Sequence, residues 1–234
     1  MAEDTSSIDD LYELDQSDFM NGTYRIQQSG TYKIMEDIIF DFNAGDLEYP
    51  NEGKSWWPMA DQWREYPGTG QTRDNYVLGF IAGITVEVDD VIIDLNGNTI
   101  AMSMAFYYQQ RFFSCIALKS VVFPLNQGPG FFGMEPKYAN NVVIKNGNIG
   151  LSSHHGIHGH YNKDVVIEDV HIYDFETHGV QMSYFENLTM KNVEIGPSST
   201  VAYLKGTVSS LSCCVMWFIL EFLEHLFFVI LTEK

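Results

Sequence analysis

Basic residues are few: 13 lysines and arginines face 31 aspartates and glutamates in 234 residues, a net charge of −18. Nucleic acid is bound through a basic face, so this deficit argues against such a partner. Cysteine is scarce too. Cys115 stands alone, and Cys213 and Cys214 are neighbours, a spacing that provides neither a disulfide framework nor a zinc knuckle. The opening "MAEDTSSIDD" lacks the positive and apolar regions of a secretory signal. The expectation is a reduced protein, cytoplasmic by default or virion-associated, whose sequons at Asn21 and Asn187 carry no glycan.

The acids are unevenly spread. Residues 1–52 hold 13 acidic and two basic residues, and the first 19 hold seven acids and no base. Residues 1–28 are therefore expected to form a solvated, largely disordered tail. Hydrophobic residues make up 45% of the chain, enough for one sizeable core.

What the sequence has in abundance is internal repetition. "NVVIKNGNIG" begins at Asn141, "DVVIEDVHIY" at Asp164 and "NLTMKNVEIG" at Asn187, each 23 residues after the last. Val142, Val165 and Leu188 form one apolar column; Ile144, Ile167 and Met190 a second; Ile149, Ile172 and Ile195 a third. Lys145, Glu168 and Lys191 alternate in charge, while Asn146, Asp169 and Asn192 form a polar column. Short β-branched strands at a fixed period, with Asn, Asp and Gly at the corners, imply a solenoid whose units bury their apolar columns only by stacking. The charged column then becomes a ladder of opposite charges. The polar column falls at a corner where Asn and Asp tolerate left-handed backbone.

"DDVIIDLNGNTI" from Asp89 repeats the phrase with one inserted residue, and "SGTYKIMEDIIFDFN" from Ser29 reads as the first strands and cap. The 51 residues from Asp90 to Asn141 hold one turn plus an excursion, placed at "MAFYYQQRFFSCIALKSVVFPLNQGPGFFG". The expected fold is all-β: a parallel β-helix of ~23-residue coils over 29–204, with a C-terminal apolar helix.

These phrases resemble right-handed parallel β-helix proteins of the pectin-lyase-like class, from about Ser29 to Ser199. They also resemble single-domain β-helix proteins of large DNA viruses and marine algae. The class includes lyases, hydrolases, epimerases and inert shafts, so the resemblance implies association with carbohydrate: a protein that binds or modifies a polysaccharide. The alternative is a non-catalytic structural or interaction module of a virion or surface.

Six of the seven histidines lie in "SSHHGIHGHYNKDVVIEDVHIYDFETHGV", from Ser152 to Val180. The 23-residue period sets His178 of "HGV" one coil above His155 of "HGI", Ile157 under Val180, and His158 under Gln181. His158 shares the face of His155 only where Gly156 breaks the strand alternation. Three readings stand. Stacked histidines suit a corner of this fold. His155 and His178, with Asp174 or Glu176 as the carboxylate and Arg111 as the cation for an acidic sugar, suit proton transfer in elimination or epimerisation. "HGIHG" is similar to the histidine-glycine motif in the groove of polygalacturonases, but their paired aspartates have no counterpart beside this corner, which argues against inverting hydrolysis. His155, His158 and His178 would also suit zinc, and the resemblance to pectate lyases implies calcium at acidic clusters such as Asp89 and Asp90. No cofactor is otherwise expected.

A loop over residues 44–76 carries Trp56, Trp57 and Trp63, and "FYYQQRFF" adds Tyr107 and Tyr108. Such rings stack on sugars or anchor a loop to the wall; with His158 they are the candidate substrate-binding residues. Residues 205–234 read as an apolar amphipathic helix. Its 213–231 stretch is long enough to cross a bilayer, but Glu221 and Glu224 make capping of the coil stack the better reading than membrane contact.

Overall fold

A computed structural model of the protein describes residues 10–19, 23–41, 80–107, 112–118, 138–198 and 229–233. The strands are β1 (Leu11–Leu14), β2 (Tyr24–Ile26), β3 (Gly30–Ile34), β4 (Ile38–Phe40), β5 (Phe80–Val86), β6 (Val91–Asp94), β7 (Thr99–Met102), β8 (Phe112–Ala117), β9 (Val142–Ile149), β10 (His155–His160), β11 (Lys163–Ile172), β12 (His178–Ile195) and β13 (Val229–Glu233). A 3-10 turn spans Gln16–Phe19 and a single helical turn, α1, spans Met104–Tyr107.

The described strand pairs are all parallel and wind into coils. One wall runs β2, β5, β8, β10, the first part of β12, then β13. A second wall runs β1, β3, β6, β9, β11 and the later part of β12. Beyond the Asn146–Asp169–Asn192 corner the strands turn onto a third wall, which β4 and β7 join. The register matches the sequence columns: Val165 pairs with Val142 and Leu188, Ile167 with Ile144 and Met190, and Ile172 with Ile149 and Ile195. Ile93, Ile144 and Ile167 are fully buried in the core; each such side chain contributes about 1.5–3 kcal/mol.

The corners follow from side-chain chemistry. Asp90, Asn141, Asp164 and Asn187 have φ of 62, 52, 53 and 60°, and Asn146, Asp169 and Asn192 have 60, 55 and 51°. Asn and Asp enter this left-handed region at lower cost than other non-glycine residues. Each Asn also donates to the Asp of the coil below: Asn141 to Asp90 at 2.6 Å, Asn187 to Asp164 at 2.8 Å, and Asn192 to Asp169 at 2.6 Å. The charged ladder is longer than the three repeats show. Glu13, Lys33, Asp94, Lys145, Glu168 and Lys191 follow one another across six strands with strict alternation of sign, and Lys145 and Asp94 approach to 4.0 Å.

Three expectations change. Residues 10–19 and 23–28 are ordered rather than part of a tail: β1, the 3-10 turn and β2 bury Leu14, Phe19 and Ile26 in the core. Acidic averages over 1–28 hid these spaced apolar residues, because Asp15 and Asp18 serve the turn, with Asp18 accepting from the Asp15 amide at 2.9 Å. The excursion between Asp90 and Asn141 is smaller than drawn, since β8 lies within it as a rung of the first wall. In the tail, Val229–Glu233 is a strand paired with Val180–Phe185, not helix; "VILTE" is β-branched enough to fill a parallel rung. The rest of the apolar tail, including 213–228, lies outside the described residues. Among the described residues no helix is long and apolar enough to cross a membrane.

Candidate functional site: a wall of stacked imidazoles

The first wall carries a bulge repeated on four coils. Ala82 pairs with Ser114 and Ile84 with Ile116, and His155 pairs with His178 and Ile157 with Val180. The residues between, Gly83, Cys115, Gly156 and Gly179, are the extra ones. A Cβ on Gly156 would lie 2.6 Å from the Gly179 carbonyl oxygen and 2.6 Å from Ile172, and one on Gly179 would lie 2.5 Å from Ile195. So Gly156 faces the core, as does its neighbour Ile157, and only glycine fits. Two successive inward residues are what a β-bulge produces. His155 and His158 are thereby thrown onto the same outer face.

The rings confirm the consequence. The His155 and His158 centroids are 4.7 Å apart, His158 and His160 4.9 Å, His154 and His155 3.9 Å, and His155 and His178 5.2 Å. Five imidazoles form one contiguous surface. His155 and His158 are nonetheless only 4% and 5% exposed.

Thr177 orients this set. Its hydroxyl donates to the His154 carbonyl at 2.5 Å and lies 3.0 Å from His155 Nδ1. A hydroxyl has one proton, so with that proton on the carbonyl, Thr177 accepts from His155 Nδ1–H. The neutral His155 ring then carries its lone pair on Nε2. His178 Nδ1, Gln181 Oε1 and Ser114 Oγ are buried with no hydrogen-bond partner among the described residues, although Gln181 Nε2 donates to Ser183 at 2.7 Å.

Electrostatics favour neutral rings. Burial, with His178 beside it, holds His154 down at about 4, and burial lowers His178 below its ordinary value. Burial raises the Glu176 carboxyl above the usual range. The same wall therefore sets neutral bases near a carboxyl that retains its proton to higher pH than usual, the separation of environments that acid–base chemistry uses.

The other predicted residues are placed variously. Glu176 is in the same corner turn, its amide bonded to the Ser152 carbonyl at 3.0 Å. Asp174 belongs to a different group: burial raises its pKa and His171 opposes that rise, while His171 itself bonds the Gly196 carbonyl at 3.0 Å. Tyr107 is buried in the hydrophobic core at 4% exposure, so its ring is not offered to a ligand. Asp89 and Asp90 are engaged at corners, Asp89 accepting from the Asn140 amide at 2.7 Å and Asp90 from Asn141, which removes the argument for calcium there. Among the described residues no group of three or more His, Cys, Asp or Glu is arranged to hold a metal ion; His155, His158 and His178 meet ring to ring. Arg111, Tyr108, Trp56, Trp57 and Trp63 lie outside the described residues. Sequence reasoning missed His154, His160 and Thr177, although Thr177 falls 23 residues after His154.

No curated protein and no solved structure shows a significant match to the chain. The sequence model for the right handed beta helix region matches residues 82–198, half of the chain. Those residues contain both the repeated bulge and the imidazole wall, and the parallel coils agree with the match in strand direction and winding. The chain belongs to the right handed beta helix family.

Proposed function

We propose that this protein binds a polysaccharide along the first wall and acts on it by proton transfer, with elimination or epimerisation as the reaction class. The supporting observation is the His155–His178 pair: two imidazoles 5.2 Å apart on adjacent coils, with the tautomer of one set by Thr177 and the Nδ1 of the other buried without a partner among the described residues. Removal of a proton beside a sugar carboxylate needs a neutral base, and the lowered pKa of His178 supplies one at neutral pH. Glu176 then returns a proton, and Gln181 offers a carbonyl oxygen to a sugar hydroxyl.

The test is incubation with neutral and uronic-acid polysaccharides, following new chain ends and unsaturated products. Turnover on uronic-acid chains, lost in His155→Ala/His178→Ala with unchanged folding, is the expected result. Binding without turnover would move the weight to the second reading, a non-catalytic interaction module, which the 4–5% exposure of His155 and His158 favours.

A further inference from the structure

We propose that the two ends of the second wall are complementary, and that copies of this chain stack head to tail through them. At the C-terminal end, residues 186–195 of β12 pair with β11 on one side and with no strand on the other among the described residues. At the N-terminal end, β1 pairs with β3 and likewise has no partner on its outer side among the described residues. Both are parallel edges, which present a row of unpaired amides and carbonyls as a template for another strand.

The sign of the charge ladder selects the occupant. It begins with Glu13 at one edge and ends with Lys191 at the other. A second copy translated along the coil axis sets its Glu13 beside Lys191 and continues the alternation without a break. The strand direction stays parallel, as in the rungs within one chain. A two-fold pairing of like ends would instead run the strands antiparallel and place equal charges at the junction.

Two further columns agree. The corner column ends at Asn187, whose amide donates to Asp164 and keeps a second proton. On the other edge that column begins at Asp10, whose carbonyl receives the Thr31 amide at 2.8 Å and whose carboxylate can accept from an amide. The apolar column ends at Met190 and begins at Tyr12, both only partly buried against the core, as are Leu188, Val193 and Ile195. Leu11 is 58% exposed and falls in the column of Thr31, which Thr189 would continue. Such a contact is heterologous, so it builds open stacks rather than closed dimers.

Charge exchange tests it. Sedimentation velocity on the full chain at low ionic strength is expected to show mass rising with concentration, and falling again in high salt. Lys191→Glu and Glu13→Lys each set like charges at the junction and should weaken association about tenfold, with Lys191→Gln intermediate. An equimolar mixture of the two charge variants restores opposite charges at every junction and should associate like the wild type. Circular dichroism and thermal melting verify that each variant is folded. Wild-type protein that stays at the mass of one chain at all concentrations would overturn the proposal and assign the edge to the chain's own segments. Association indifferent to both variants, or a mixture of folded variants that does not recover it, would overturn it equally.

Discussion

His178 lies one coil directly above His155, with ring centroids 5.2 Å apart and planes inclined by 32°. The pair is stacked because its backbone is in register and because the same bulge precedes each ring on the outer face. Its chemistry depends on which nitrogen of His155 holds the proton, and that is decided by Thr177.

Replacing Thr177 should therefore change the His155 tautomer before it changes the fold. In Thr177→Val the Nδ1–H loses its acceptor, and nitrogen NMR of the imidazole should show the proton redistributing to Nε2. Thr177→Ser retains the hydroxyl and should retain the wild-type spectrum. Identical spectra for Thr177→Val and wild type would remove Thr177 as the positioning group.

Gly156→Ala should be strongly destabilising. Its Cβ would meet both a backbone oxygen and Ile172 at 2.6 Å, and overpacking of that kind costs about 1–3 kcal/mol. Urea denaturation reads the loss. An alanine tolerated within a few tenths of a kcal/mol would mean that the bulge relaxes freely.

Acid should weaken the fold through His154. Its pKa is near 4 when folded against 6.5 as the ordinary value, so the unfolded chain binds the proton first. That contribution to stability is fully present above pH 6.5 and is lost as pH falls from 6.5 to 4, by at most about 3 kcal/mol. The raised carboxyls of Glu176 and Asp174 act in the opposite sense, gaining stability as pH falls through their raised values. His154→Asn should flatten the loss in that window, and denaturation midpoints at pH 7, 6, 5 and 4 will show whether it does.

On the same wall, near the N-terminal end, Arg25 grips Glu87 through two bonds of 2.7 Å, and the Glu87 side chain has no exposed surface. Thr85 and Gln27 complete its hydrogen bonds at 3.0 and 3.2 Å. Arg25→Met leaves that carboxylate buried without its cation and should cost about 3–5 kcal/mol. Adding Glu87→Gln should recover much of this, as a double-mutant cycle in urea would measure.

The three coils from Asn141 to Ile195 were legible because an unbroken 23-residue spacing makes each column visible as a column. The earlier coils were half-hidden: insertions separate Asp94 from Lys145 and Ser114 from His155, although each pair is adjacent in space. Net charge concealed β1 and β2, since a sum over residues cannot show that Leu14 and Ile26 point inward while the acids point out. The histidine set was partly legible. Stacking of His155 under His178 follows from period alone. The gathering of His154, His158 and His160 needs the bulge, and the role of Thr177 turns on the direction of a single hydroxyl proton, which no pattern of residue types encodes. The apolar tail misled because hydrophobicity without a clear period suits a buried rung as well as a helix.

The repeated bulge has a consequence for how such a wall can change length. Gly83, Cys115, Gly156 and Gly179 keep one phase on successive coils, so a segment of 23 residues is a self-contained cassette. Duplicating residues 155–177 would add one rung and another copy of the His–Gly corner in the same orientation. Adding or deleting a single residue within a coil would instead rotate its inward residues outward and sever the row of imidazoles. Lengthening by whole cassettes thus offers a way to set the number of histidines on the wall by design, while every other side chain keeps the neighbours it already has.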